Sequence, residues 1–187
     1  MGFNHKTLIL TVFLLVAPFA AKAQKVSVGT DFMQWANFGT ANLELDISVQ
    51  QHVSLSVGGR YNPWEFGKED ASVHYQQLGG YVGCRYWPWY VYSGWWLGAK
   101  VQYMDFSKTG IWRPALEEGQ RLGTGLSFGY TVMLNENLNL EFGAGAWCGY
   151  MFEYALYECP VCMEVRRSGP RHFADIDNVS VSLFYVF

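Results

Sequence analysis

Apolar and polar residues alternate with period two along a long stretch of this chain, and no other feature constrains the fold as strongly. Between Gln120 and Tyr150 the alternation is interrupted only at the triplet Asn135-Glu136-Asn137. Successive side chains of a β-strand point to opposite faces, so period two indicates strands with two unlike faces. This stretch therefore predicts two long antiparallel strands joined by a tight turn.

The same alternation recurs elsewhere and predicts eight strands in all. They cover 26–32, 42–49, 53–61, 77–85, 95–104, 120–134, 138–150 and 178–187. Most approach the roughly 9–11 residues that a tilted strand needs to cross a bilayer, and bacterial membrane barrels have an even number of strands. The predicted fold is all-β: a closed, eight-stranded, antiparallel, up-and-down transmembrane β-barrel formed by residues 24–187.

The connections between these strands alternate in length. Three are short, at Gln50–His52, Pro88–Tyr92 and Asn135–Asn137, whereas the long ones are Asn62–Ser72, Ser107–Gly119 and Ala155–Asp175, with Ala36–Gly39 as an exception. An even strand number places both termini on the side of the short turns, which is periplasmic in bacterial barrels. The long loops are then expected to face outside the cell.

Aromatic residues concentrate near the predicted strand ends, as expected of belts at two membrane interfaces. The expected periplasmic belt contains Tyr86, Trp87, Trp89, Tyr90, Tyr92, Trp95 and Phe187. The expected outer belt contains Phe32, Trp35, Tyr61, Trp64, Tyr103, Phe106, Tyr150 and Phe152.

The polar face decides which side of the sheet is wet. A soluble barrel such as a lipocalin has the same alternation with its faces exchanged, but here the polar face is rich in glycine, which suits a narrow barrel interior. Charges of both signs occur on that face, and they are expected to pair as an ionic network in the lumen: Glu44, Asp46, Arg60, Arg85, Lys100, Arg121 and Glu141. A solvated sheet face is the alternative interpretation.

The N-terminus has the order of a secretory signal peptide. His5 and Lys6 precede an apolar run from Thr7 to Phe19, and Ala21-Lys22-Ala23 is an A-x-A cleavage site. We expect a signal peptide over 1–23 and a mature chain from Gln24, with an uncleaved anchor helix as the alternative. The formal net charge is −3, which gives no basic footprint for nucleic acid, and no nucleic-acid partner is expected.

Several segments of the mature chain resemble a Bacteroidetes domain-of-unknown-function family. They are Tyr61-Asn62-Pro63-Trp64, Arg85-Tyr86-Trp87, the glycine-rich hairpin Gly123–Tyr150, the Tyr157–Cys162 loop and the terminal Ser182–Phe187 segment. Members of that family are small outer-membrane β-barrel proteins, some encoded near fimbrial genes. The resemblance implies a bacterial outer-membrane location and an envelope or fimbrial protein as partner, and it supplies no catalytic residue and no cofactor. Tyr185 and Phe187 match the terminal aromatic signal that the barrel-assembly machinery recognises.

The four cysteines divide into two kinds. Cys159 and Cys162 form a C-P-V-C motif in the longest predicted loop, where an oxidising compartment favours a local disulfide. Cys84 and Cys148 fall on the apolar face and are expected to be small membrane-facing residues, with a disulfide between them as the alternative. A redox motif would need a βαβ context and a zinc site would need more ligands, so no metal is expected.

Charged loop residues are the binding candidates, because loops on a rigid scaffold commonly bind partners. Arg166, Arg167, Arg171 and His172 lie in the last predicted loop, and Trp112, Glu117 and Glu118 lie in the third. We expect these opposite charges to pair across the barrel mouth and the basic cluster to contact lipopolysaccharide phosphates or an acidic partner. Solvated loop charges remain an alternative.

Three classes of function follow from these features. The leading hypothesis is a non-catalytic structural or binding protein that contacts outer-membrane lipids and lipopolysaccharide. A narrow porin is the runner-up, disfavoured because eight strands leave room only for side chains. An envelope lipid-modifying enzyme is third. Ser72, His74 and His172, with Asp175 and Asp177, could be drawn as a hydrolase or acyltransferase triad near the long loops, but no nucleophile is fixed beside a base.

Overall fold

The computed structural model describes residues 25–66, 73–109, 115–158 and 165–187. The signal peptide predicted for 1–23, the predicted mature N-terminus Gln24, and both Cys159 and Cys162 lie outside these residues. The described part of the chain forms ten strands and one short helix. The strands are β1 (Val26–Asp31), β2 (Ala41–Gln50), β3 (Val53–Asn62), β4 (Glu65–Phe66), β5 (Val73–Tyr86), β6 (Gly94–Thr109), β7 (Leu116–Met133), β8 (Leu138–Tyr157), β9 (Val165–Ser168) and β10 (Arg171–Val186), and the helix is α1 (Phe32–Ala36).

Eight of these strands close into a barrel. The neighbours run in the order β1, β2, β3, β5, β6, β7, β8 and β10, and β10 pairs with both β8 and β1. All of these pairings are antiparallel, which confirms the predicted closed, up-and-down, eight-stranded barrel. The two remaining strands are short additions outside the ring, where β4 pairs with β5 and β9 pairs with β8.

The strands are staggered around the ring. A row of paired residues that starts at Gly29 passes through every barrel strand and reaches β10 at Phe173, whereas Gly29 itself pairs with Phe184. The offset is 184 − 173 = 11 residues, one of which is a bulge at Asp177. A stagger of this kind accompanies strands that tilt strongly relative to the barrel axis.

Several strand boundaries differ from the prediction. Phe32 begins helix α1 rather than ending the first strand, because Asp31 accepts a hydrogen bond from the Met33 backbone N–H and caps a helical turn there. The predicted loops Ser107–Gly119 and Ala155–Asp175 are shorter, since β6 runs to Thr109, β7 starts at Leu116, β8 runs to Tyr157 and β10 starts at Arg171. The end of the barrel away from the chain termini, called the outer end below, is therefore a wall that is tallest at β6 to β8.

The apolar face points outward. The exposed large side chains are aliphatic residues on the middle of the strands, such as Leu126 at 72% exposure, with aromatic residues nearer the strand ends. No helix among the described residues is long and apolar enough to cross a bilayer. The expected aromatic belts are wrong at three positions, because Trp87, Tyr92 and Phe106 are buried inside the barrel.

Candidate functional site

The end of the lumen nearest the chain termini is closed by an aromatic plug, formed by Trp87, Tyr92, Trp96 and Val186. The β5–β6 turn folds back into the barrel, since the Trp87 backbone N–H donates to the His52 carbonyl at 2.8 Å and the Trp87 indole Nε1 donates to Ser54 Oγ at 3.0 Å. Tyr92 adopts a left-handed φ of 68°, followed by Gly94 at 73°, and this reversal directs the tyrosine ring inward.

The Tyr92 hydroxyl ties the plug to the first two strands. The hydroxyl oxygen lies 3.1 Å from the Lys25 carbonyl oxygen and 3.0 Å from the Asp46 carbonyl oxygen, and these two acceptors share its single proton. Burial raises the pKa of the Tyr92 hydroxyl well above its ordinary value, so the group stays protonated and remains a donor.

Above the plug, Arg85 binds three carboxylates. Its guanidinium contacts Glu44 directly and lies 3.4 Å from carboxylate oxygens of both Asp46 and Glu141. It also lies 4.5 Å above the centroid of the Trp96 ring. Arg85 thus joins the plug to the charged side chains above it, which we call the ionic layer. Its position on β5 places it opposite the acidic residues of β2 and β8.

A second ionic group surrounds Asp177. This carboxylate contacts the Lys100 ammonium group, lies 3.5 Å from Arg60 Nη2, and accepts a hydrogen bond from Gln102 Nε2 at 3.3 Å. Arg121 pairs separately with Asp175 at 3.3 Å. The structure thus places all seven sequence-predicted lumen residues inside the barrel and divides them among these three groups.

Asp175 and Asp177 are members of the network that sequence reasoning missed. The bulge at Asp177 shifts the pairing of β10 between Ile176 and Asn178, and it reverses the parity of inward residues. Below the bulge the even-numbered Ser182 and Phe184 are buried, whereas above it Phe173 and Asp175 face the lumen. If the alternation of inward and outward residues is continued through the bulge, both aspartates point outward. The cost of placing a charge on that face is the one signal in the sequence that could have indicated the bulge.

One side of the outer lumen is apolar. Met104, Phe106, Trp147, Met151 and Tyr154 form a buried cluster, against which Leu156 and Phe173 pack. The Arg121 guanidinium lies 4.4 Å from the Trp147 ring centroid and 4.8 Å from that of Phe106, so this cluster also covers a cation.

The space left in the ionic layer is small. A cavity of about 60 Å³ is bordered by charged groups on β2, β3, β5 and β6, including Glu44, Arg60, Arg85 and Lys100. That volume holds a few water molecules. Because this cavity is small, the aromatic plug, the ionic layer and the outer apolar cluster together make the described barrel interior a packed core.

The predicted binding residues lie on the tall outer wall. Arg166 pairs with Glu158 at 3.9 Å, and the Arg171 guanidinium lies 4.3 Å from the Tyr154 ring centroid. The Tyr154 hydroxyl donates to Glu117 at 3.0 Å, so Arg171 and Glu117 contact the same tyrosine.

The predicted pairing of the basic loop with Glu117 and Glu118 is not formed directly among the described residues. Glu118 instead accepts a hydrogen bond from Ser107 at 3.1 Å, and Trp112 lies outside the described chain. Arg167 is exposed on β9, and the ring of His172 lies 5.2 Å from that of Tyr150.

The residues weighed for an enzyme do not form a described catalytic site. Ser72 lies outside the described residues, and His74 is placed only as a backbone position on β5 that pairs with Glu65. No group of three or more metal-binding side chains occurs in the described part of the chain. Cys84 and Cys148 are free and exposed on the outward face, and Tyr185 and Phe187 lie at the end of β10 with ring centroids 4.9 Å apart.

Comparisons with known proteins found structural neighbours and a matching family. The crystal structure of Neisserial surface protein A (NspA) is similar over 88% of this chain and 95% of that chain, with 11% identity and a TM-score of 0.42. Among curated proteins, none matches this chain. The family described as "Protein of unknown function (DUF3575)" matches residues 8–187, and the chain belongs to it.

Proposed function

We propose that this protein is a non-conducting barrel of the bacterial outer membrane that stabilises the envelope or binds a partner through its outer wall. In this proposal a signal peptide exports the chain, the barrel-assembly machinery inserts it, and both mature termini lie in the periplasm. The role is non-catalytic.

The orientation of the two faces is the observation that carries the membrane assignment. The outward residues of the central strands are aliphatic, as at Leu97, Val101 and Leu126, and every lumen cation described above is directed inward. An apolar exterior of this extent is unfavourable in water and favourable in lipid, where an outward Arg or Lys at mid-depth costs about 2–4 kcal/mol.

Membrane fractionation tests this assignment. We expect the mature chain to stay in the outer-membrane pellet after a carbonate wash and to migrate faster on a gel before boiling than after it. Recovery of a monomer that dissolves in buffer without detergent would contradict the proposal.

The packed lumen supports a non-conducting barrel over a porin. An ionic layer and two apolar clusters lie in the lumen, and the cavity bordered by Glu44, Arg60, Arg85 and Lys100 holds only a few waters. We expect the purified barrel to give no channels in planar bilayers. Steady single-channel conductance that scales with salt concentration would favour the porin instead.

The outer wall supports the binding part of the proposal. Arg166, Arg167 and Arg171 are exposed there, and guanidinium groups suit the phosphates of lipopolysaccharide or an acidic envelope or fimbrial protein. Replacing all three by Gln should weaken binding of purified lipopolysaccharide, whereas Lys25→Gln, at the periplasmic end, should not. Equal binding by the triple variant and the wild type would remove these arginines from the proposal.

A further inference from the structure

Among the described residues, the barrel wall is incomplete on one side of its outer half. Strand β1 ends at Asp31, opposite Ser182, whereas β10 continues outward to Arg171. Among the described strands, none pairs with Arg171–Val181 on the side that faces away from β8. Helix α1 stands where β1 would continue, and it packs beside β10 without extending the sheet.

The direction of the backbone groups on this edge follows from two hydrogen bonds. The Phe187 N–H donates to the Val26 carbonyl at 2.8 Å, and the Val181 N–H donates to Asp31 Oδ1 at 3.2 Å. Backbone groups of an antiparallel strand alternate between its two neighbours, so the Val179 N–H also points to the β1 side. Asp31 caps the edge at Val181, and Val179 is the next position along it.

An edge of this kind selects its ligand by backbone chemistry. A row of N–H and C=O groups is complemented by another extended chain, and each such group left unpaired at membrane depth is costly. We propose that the outer half of β10, Arg171–Val181, is a docking edge for an extended segment of another protein, which adds as a strand to the barrel wall.

The side chains beside the edge define the chemistry of that segment. Ile176 and Val179 are 75% and 60% exposed on the outward face, so outward positions of the segment should be apolar. Asp175 points to the lumen side, yet its side chain is 61% exposed despite its pair with Arg121. Inward positions of the segment should therefore be basic. An alternating apolar and basic strand meets both requirements.

The test uses the full mature barrel in detergent micelles and a fluorescent eleven-residue peptide that alternates valine and lysine. A matched peptide has the same side chains but N-methyl groups on alternate amides, which removes the donors of one edge. We expect the first peptide to bind, as measured by fluorescence anisotropy, and the N-methylated peptide to bind at least tenfold more weakly. Equal binding of the two peptides, or binding of neither, would overturn the proposal.

Two variants locate the contact on β10. Val179→Pro removes the N–H that points to the gap and leaves the side of β10 that pairs with β8, because proline is tolerated on strand edges. Val179→Ala keeps the N–H and serves as its control.

Peptide binding should fall at least tenfold in Val179→Pro and stay close to wild type in Val179→Ala, with heat-modifiable migration reporting that both variants are folded. Wild-type affinity in a folded Val179→Pro would contradict the assignment. If that variant does not fold, the two peptides on the wild-type barrel still decide. Because binding is measured in micelles, its failure leaves the proposed outer-membrane location intact.

Discussion

Replacing Arg85 by Met should be the most damaging single change in the ionic layer. Arg85 is the shared partner of Glu44, Asp46 and Glu141, which all lie inside the barrel. Removing one member of a buried ion pair costs about 3–5 kcal/mol, because the remaining charge is left without compensation. The loss of the guanidinium from the Trp96 ring adds up to about 2 kcal/mol. The folding equilibrium should therefore fall by roughly a hundredfold to a hundred-thousandfold.

Urea unfolding of the barrel in lipid vesicles measures this loss. Arg166→Met is the matched control, since Arg166 and Glu158 form a pair whose side chains are 67% and 56% exposed. Exposed pairs contribute about 0–1 kcal/mol, so the control should unfold near the wild-type midpoint. Adding Glu44→Gln and Glu141→Gln to Arg85→Met should restore part of the loss by neutralising two unpaired charges. Equal unfolding midpoints for Arg85→Met and Arg166→Met would refute the reasoning.

Three further substitutions test other parts of the fold, each with a matched control and the same unfolding assay. Leu126→Arg on the outward face should cost about 2–4 kcal/mol, whereas Leu134→Arg in the β7–β8 turn should cost about 0–1 kcal/mol; similar losses would argue against a lipid-facing Leu126. Trp87→Ala should cost about 3–5 kcal/mol because Trp87 is 0% exposed, and the neighbouring Trp89→Ala, at 69% exposure, should change stability by less than about 0.5 kcal/mol. Gly149→Ala should cost about 1–3 kcal/mol, since its Cβ would lie 2.2 Å from the Leu122 carbonyl oxygen, whereas the Gly80→Ala Cβ would lie 3.6 Å from the nearest atom; equal stability of these two variants would contradict the close strand packing.

The periodicity of the sequence predicts the ring of strands because each outward position faces lipid for many residues in succession. On β7, exposed even-numbered residues alternate with odd-numbered ones from Leu122 to Val132 without interruption. Arg85 on β5 is likewise buried between two less buried neighbours. Met104 and Phe106 are two residues apart and therefore share a face of β6. Continuing the alternation past Met104 would have placed Phe106 inside, where the structure has both side chains buried. Ending that strand early hid one member of the outer apolar cluster.

Other features depend on tertiary context that periodicity does not encode. Trp87 and Trp89 are the same residue type in one turn, but hydrogen bonds to His52 and Ser54 hold Trp87 in the lumen, whereas Trp89 is exposed. The bulge at Asp177 changes the parity of β10 at a single position, so an alternation continued from the C-terminal end of β10 assigns Asp175 and Asp177 to the wrong face. Helix α1 replaces the outer half of β1 because the Asp31 side chain caps a helical turn as well as the β10 edge.

The direction of the apolar face is the central claim, and a spin-label scan along β7 in lipid vesicles tests it most directly. Single labels at Leu122, Thr124, Leu126, Phe128 and Tyr130, with all native cysteines replaced by Ser, report contact with oxygen in lipid and with a water-soluble nickel reagent. We expect oxygen contact to peak at Leu126 and nickel contact to rise toward both ends of the series. Strong nickel contact and weak oxygen contact at Leu126 would show that this face meets water, and the account would be wrong.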